Sequence, residues 1–511
     1  MRYGFVIDHR KCIGCHACTV ACKSENEVPL GVFRTWVKYT EKGEFPNTRR
    51  FFTVERCNHC DNAPCIEICP TKALYRRPDG IVDFDASRCI GCKSCMQACP
   101  YDAIYIDPFT NTAAKCNYCA HRVDQNLLPA CVVVCPAKAI IAGDIDDPAS
   151  EIHQLISREN VSVRKPEQGT RPKLFYLGAD DASLTPEALS WDNAYLWGEI
   201  RPDGRPKEAK QANEPLVGPG DTKVVYDVHH PKPWGWRVAT YLWTKGIAAG
   251  ALLIAAILLL FGWVGDRTTF DLAAPVLAIA FIVLTAVFLI ADLKRPERFW
   301  FLLLKPNPTS WLVWGGYILG LFGGVAFLWL VAALLDLDAA QNVLMALSIP
   351  LAAAAAGYTA FLFGQAEGRD SWQSPLTLPH LLAQAGVAGA AILLVAGALL
   401  GAGGDDLRVL GGVLAGGVAI STALLLFEYS VPHVNAHVRK TIDLITRGPY
   451  RGVLYQGVLL LGALVPLVLV ALMFLTGADA VLGALAGLAA LAGLWFYERM
   501  WVSAGQDVPL S

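Results

Sequence analysis

The chain has 511 residues, a formal net charge of −2 and 54% hydrophobic side chains, which leaves room for more than one domain. A near-neutral balance without any Lys/Arg-rich tract gives no footing for nucleic acid, and no nucleic-acid partner is expected. All 16 cysteines fall between Cys12 and Cys135, whereas beyond about residue 236 Leu, Ala, Gly and Val dominate, so a cysteine-rich module precedes a membrane module.

The first stretch, "MRYGFVIDHRKCIGC", has no apolar h-region and no twin-arginine pair, so the expectation is that it is not an export signal. The cysteines then form four quartets. Cys12, Cys15, Cys18 and Cys22 are spaced C-x2-C-x2-C-x3-C, and Cys89, Cys92, Cys95 and Cys99 repeat that spacing. Cys57, Cys60, Cys65 and Cys69 follow C-x2-C-x4-C-x3-C, and Cys116, Cys119, Cys131 and Cys135 follow C-x2-C-x11-C-x3-C. "IDHRKCIGC" and "FDASRCIGC" mark an internal repeat in which Asp8 matches Asp85.

Three thiolates on one tight turn can hold three corners of a [4Fe–4S] cube, while the fourth, opening the next helix, reaches the other cluster of a pair. Pro70, Pro100 and Pro136 follow the last cysteine of quartets two, three and four, and Lys23 stands at that place in quartet one. Disulfides fit poorly behind no export signal, and zinc does not explain the repeated four-cysteine spacing. Four [4Fe–4S] clusters are therefore expected.

The four quartets resemble the ferredoxin-like electron-transfer subunits of molybdopterin oxidoreductases, the iron–sulfur partners in polysulfide, dimethyl-sulfoxide and nitrate reductases and formate dehydrogenase. The resemblance implies that Cys12, Cys15 and Cys18 with Cys135 hold the cluster nearest a partner's molybdenum site. It implies Cys116, Cys119 and Cys131 with Cys22 for the next, and Cys57, Cys60 and Cys65 with Cys99 for the third. Cys89, Cys92 and Cys95 with Cys69 then hold the cluster nearest the membrane. "KPEQGTRPKLFYLG" (165–178) looks like that family's C-terminal tail. The domains expected are thus a four-cluster α+β ferredoxin-like domain with two pseudo-symmetric dicluster units (1–178), a surface connector (179–235), an all-α eight-helix transmembrane domain (236–500) and a tail (501–511).

A spanning helix needs about 20 apolar residues. Eight runs qualify, near 239–264, 271–292, 311–335, 342–365, 380–402, 407–428, 453–475 and 480–498. The joints on the side of the cysteine module carry Lys294, Arg295, Arg298, Lys305, Arg369, Arg439, Lys440, Arg447, Arg451 and Arg499, and the opposite joints only Arg267 and Arg408. The positive-inside rule then places the cysteine module and both termini in the cytoplasm of a bacterial inner membrane. "DLKRPERFWFLLLKPNPTSWLVWGGY" and "YTAFLFGQAEGRDSWQSPLTLPHLL" are similar to the NrfD/polysulfide-reductase family of quinone-reactive membrane subunits. There the iron–sulfur partner is usually a separate polypeptide, whereas here the two are joined.

Clusters pass single electrons and a quinone takes two with two protons, so the exchange site belongs near the last cluster. It needs an apolar slot with a few polar groups. Lys245, Glu428 and His380 are the candidates for exchange, with His229, His230, Gln365 and Glu367 as further quinone contacts. Each has a plainer reading. Lys245, about seven residues into its run, could snorkel to the headgroups. Glu367 with Arg369 could be a solvated joint, and His380 and Glu428 could pair with neighbouring helices. Haem is not expected, since only His380 sits clearly at a span edge, and neither GxGxxG after a strand nor a P-loop supports a nucleotide.

The chain reads as the electron-transfer subunit between a separate molybdopterin (Mo or W) catalytic subunit and the membrane quinone pool, as a dehydrogenase complex reducing quinone. A quinol-driven reductase of a sulfur compound, a stand-alone ferredoxin:quinone oxidoreductase and a redox-coupled ion pump are the alternatives.

Overall fold

The computed structural model describes residues 1–43, 45–185, 222–433 and 435–510. Strand Tyr3–Asp8, buried along most of its length, is the centre of the first sheet. It pairs antiparallel with Ile140–Asp144 and parallel with Leu174–Leu177, so the 165–178 tail closes the cysteine module onto its own start. A hairpin of Thr35–Lys42 and Arg49–Arg56 forms the second sheet, and two small hairpins follow within 74–84 and 104–115.

The internal repeat is visible in the backbone. Gly14 and Gly91, the glycines of the two C-I-G-C turns, both have φ +69°, a conformation that a side chain would strain. His16 and Lys93 follow in the left-handed region and open short helices, Ala17–Glu25 and Ser94–Ala98. The sequence dictates this turn twice because the thiols must curl round a common centre before a helix carries the fourth one away.

The connector departs from expectation. Residues 186–221 of it lie outside the described residues, but Thr222–Tyr226 is a strand, paired antiparallel with Thr35–Lys42. Val228 and Trp234 are buried. This flank is thus built into the module instead of running over its surface, because the outer edge of the hairpin offers unpaired backbone groups.

Among the described residues, eight helices long and apolar enough to span follow: α1 Trp236–Leu260, α2 Thr268–Asp292, α3 Trp311–Leu334, α4 Asp338–Gly364, α5 Thr377–Leu400, α6 Gly404–Ser430, α7 Val453–Thr476 and α8 Asp479–Asp507. The first and fifth are the most enclosed, 72% and 61% buried, and they cross where a Cβ on Gly250 would stand 1.8 Å from the Ala385 carbonyl oxygen. In lipid, such close backbone approach replaces the hydrophobic drive that packs helices in water. Helix α8 runs past the 480–498 expected and takes up most of the 501–511 tail. Gln506 there bonds Gln97 and Trp234, and Arg164 bonds the Leu510 carbonyl, so the chain end is clamped beneath the cysteine module.

Candidate functional site

The sixteen thiols sort into four electrostatic neighbourhoods. Cys12 neighbours Cys135 and Cys15, and Cys18 neighbours Cys12. Cys22 neighbours Cys116, Cys131 and Cys119. Cys65 neighbours Cys99, Cys57 and Cys60. Cys95 neighbours Cys92, Cys89 and Cys69. In each set the fourth thiol comes from a distant turn. Electrostatic interactions also link the sets in series: Cys18 with Cys131, Cys116 with Cys57, and Cys65 with Cys95. The thiols line up as a row of four stations.

Burial pushes several of these thiols up, Cys18 and Cys99 to about 11 and Cys92 and Cys116 to about 12. Left alone they would stay protonated at neutral pH. A cationic metal centre that takes the proton's place is what such a pocket requires. Among the described residues no three His, Cys, Asp or Glu side chains gather as ligands of a single ion. Four-thiol sets lined by backbone donors, such as the Gly91 and Ala113 amides at 3.4 and 3.3 Å from Cys89 Sγ, fit cubane clusters better.

The last station sits on the membrane helices. Backbone amides of Lys294 and Arg295 bond the carbonyls of Gly91 and Ile90, and Arg298 bonds that of Cys89 at 2.9 Å. Asn307 bonds the Cys69 carbonyl at 2.8 Å, and Ser310 that of Ile68. The Arg-Pro-x-Arg and Asn-Pro-Thr-Ser strings are therefore the clamp that holds the Cys69 and Cys89–Cys95 loops. Lys93, inside the last C-x2-C turn, pairs with Asp292 at the end of α2 at 2.7 Å.

Beside this clamp opens a cavity of about 800 Å³. It is lined by Lys93 and Met96 from the last station, by His229 and His230, and by Trp236, Arg237 and Asp292 at the ends of α1 and α2. Burial opposes the His230 charge, but Asp102 at 2.6 Å and Asp227 outweigh it and raise the imidazole to about 10. The two carboxylates thus favour the charged form of His230.

A second cluster lies inside the bundle. Lys245 does not snorkel: it is 1% exposed and donates to the Ala356 carbonyl at 2.8 Å and Thr359 Oγ1 at 2.5 Å. The inward turn follows from packing, since α1 is the most enclosed helix and has little lipid-facing surface. Lys245 shares a cavity of about 10 Å³ with Gln384 and Glu498. His380 meets Glu428 at 3.3 Å, and both line a further cavity of about 10 Å³ with Gln384 and Glu498. Glu498 went unnoticed in the sequence because it ends an apolar run next to Arg499. Among the described residues, Oε2 of Glu498 and Nδ1 of His380 have no hydrogen-bond partner.

Two expected contacts stand elsewhere. The Gln365 side chain bonds the Trp311 amide and the Thr309 carbonyl, a cap on α3. Glu367 lies in the joint after α4, where burial and then Glu67 raise its carboxyl. Neither lines the cavities described. Its neighbour Arg369, far from solvated, is 7% exposed and holds Gln97, Gln506 and Val508.

Comparison with known proteins covers both halves. A family described as "4Fe-4S dicluster domain" matches residues 48–145, and "Polysulphide reductase, NrfD" matches residues 225–509. A tetrathionate reductase subunit of Salmonella typhimurium is 48% identical over 203 residues, 39% of this chain and 81% of that protein. A polysulfide reductase subunit of Wolinella succinogenes is 43% identical over 179 residues, 34% of this chain and 93% of its own length. The arsenate respiratory reductase iron–sulfur subunit of a Shewanella strain is 35% identical over 225 residues, 35% of this chain and 96% of its own length.

Proposed function

Because the chain belongs to the NrfD polysulphide reductase family through its membrane half, with an iron–sulfur electron-transfer module fused in front, we propose that it wires a separate catalytic subunit to membrane quinone. The observation that carries this reading is the row of four thiol stations ending on the clamp beside an 800 Å³ cavity. Four [4Fe–4S] clusters supply one-electron steps along that row, and the quinone ring occupies the cavity. Its volume is within the about 300–1,000 Å³ usual for such ligands. The voids beside Lys245, His380 and Glu428 are of about 10 Å³ and hold no ring. His229 is the residue proposed to meet a quinone oxygen, while His230, its ring nitrogens taken up by Asp102 and Asp227, adds positive charge beside it, and Trp236 and Arg237 mark the way in from the bilayer.

The far end of the row supports a partner. Cys15 is exposed, and Ile13 (60%), Val20 (65%) and Val133 (60%) leave apolar surface around the first two stations. Apolar surface at an electron entry point suits a protein interface. The partner is a molybdenum or tungsten pterin enzyme, and the Lys/Arg count of the joints puts it in the cytoplasm. That side favours a dehydrogenase delivering electrons to quinone. The names of these relatives, all reductases, favour the opposite flow through the same wire.

Purification from native membranes tests the partner. A large subunit containing molybdenum or tungsten is expected to co-elute, and a chain that elutes alone yet exchanges electrons with quinone overturns that part. Gly235→Trp tests the cavity. Gly235 lines it, a Cβ there meets nothing within 4 Å, and the indole would fill the space. Quinone reduction should fall by roughly tenfold or more with iron content unchanged, in line with lost binding of about 1.4 kcal/mol. Unchanged KM and kcat would move the ring elsewhere.

A further inference from the structure

We propose that Arg56 is the fixed charge that tunes electron flow between the first and second thiol stations. It ends the strand Arg49–Arg56, where it pairs across the hairpin with Thr35, and its side chain is directed into the core. The residue is 1% exposed. Its Nη1 donates to Cys131 Sγ at 3.0 Å, and among the described residues it is the one cation that bonds a cysteine sulfur. Its charged neighbours are Cys131 and Cys116 of the second station and Cys18 of the first. The guanidinium also stacks 4.6 Å above the Phe5 ring.

What makes this placement unusual is the missing carboxylate. Among the described residues no Asp or Glu forms an ion pair with Arg56. Its neighbour Glu55 faces the other side of the strand and is taken by Arg164 at 2.6 Å. Among the described residues, Nε and Nη2 of Arg56 find no hydrogen-bond partner. A buried guanidinium without counter-charge is strongly unfavourable in a folded protein. The balancing negative charge has to come from the thiolate-bound centres themselves, beside a cavity of about 10 Å³ lined by Cys22, Cys116, Cys119, Cys131 and Arg56. Lys115, the buried cation near the third station, spends its ammonium on the Val82 and Cys116 carbonyls instead.

The physical consequence is one of sign. Each transfer adds one electron to the receiving station, makes it one unit more negative, and breaks no bond. No proton moves, because the guanidinium stays charged throughout. A nearby cation stabilises the more negative state, so Arg56 raises the reduction potential of the stations it faces, most at the second. The second station is thereby favoured over the first as the place where an electron rests.

The inference rests on the four-cluster reading, and the experiment separates the two. Iron analysis and the low-temperature EPR spectrum of the purified full chain test the clusters. Redox titration followed by EPR then tests Arg56. In Arg56→Gln, which keeps a donor but loses the charge, two of four midpoint potentials should fall. The expected fall at the second station is at least tenfold in the reduction equilibrium, or about 59 mV for one electron. The two stations nearer the membrane should hold their values. Four unshifted potentials in a variant with full iron overturn the proposal, and so does an equal shift of all four. Should Arg56→Gln lose iron, Arg56→Lys decides. With the charge retained, the same two potentials move by less than tenfold, and a larger move or one at the other stations overturns it. Iron well below sixteen per chain in the unsubstituted protein refutes the cluster reading itself.

Discussion

In Cys95→Ala, electron exchange with quinone is expected to collapse while the three other stations still take electrons from the catalytic side. Cys95 is the thiol of the last station that also neighbours Cys65 of the third, so it stands where the wire turns toward the membrane. Outer-shell partners of a metal centre are already worth about 10–100-fold in affinity or activity, and a ligand itself should exceed that range. Quinone reduction should fall at least about 100-fold, with about four iron atoms per chain lost and three EPR signals kept. The full set of irons with wild-type turnover would remove Cys95 from the last station. Loss of all signals would show instead that the module folds only as a whole, and the milder Cys95→Ser would then be measured. The prediction is strong because the clamp leaves no detour: Arg298 and Asn307 hold the two loops of this station against the helix ends.

How much of this was legible in the sequence follows the range of each interaction. The turns were legible because C-x2-C-x2-C is a local device, and Gly14 and Gly91 show the same φ in both copies. The helices were legible because hydropathy sums over a window, and all eight stand where the apolar runs lie, the longer end of α8 apart. What stayed hidden depends on which way a single side chain turns. Arg56 is one cation in "RRFFTVERC", and only the register of the hairpin sends it into the core while Glu55 faces Arg164. The strand Thr222–Tyr226 was lost in a polar linker because its partner edge lies about 180 residues earlier, at Thr35–Lys42. The 800 Å³ cavity combines loops from both halves, so no local pattern could announce it. Of the seven quinone candidates, His229 and His230 line that cavity. Gln365 was polar for a different reason, a helix cap.

The same reasoning sets the expected behaviour of Lys245 and Glu498. Lys245 lies nine residues into α1 and Glu498 nine residues before the end of α8, each roughly 14 Å from the helix end at 1.5 Å per residue. They are 1% and 5% exposed and interact electrostatically across their shared cavity. Neither helix can release its charge to the headgroups, since the side chains face the bundle. Among the described residues they form no direct ion pair, but each is the opposite group that faces the other in the bundle, so Lys245→Met and Glu498→Gln should each destabilise the protein by about 1–3 kcal/mol. The double variant should be more stable than either single one, because replacing both partners leaves no uncompensated charge. Thermal unfolding in detergent reads this directly, and a double variant worse than both singles would refute the coupling. The quinone KM of whatever fraction folds should stay near that of the unsubstituted protein, since the proposed ring site lies apart from them, beside His229 and His230. If Lys245→Met instead raised KM while Gly235→Trp left it alone, the ring would belong inside the bundle, and the cavity at the clamp would be only a gap between the two halves.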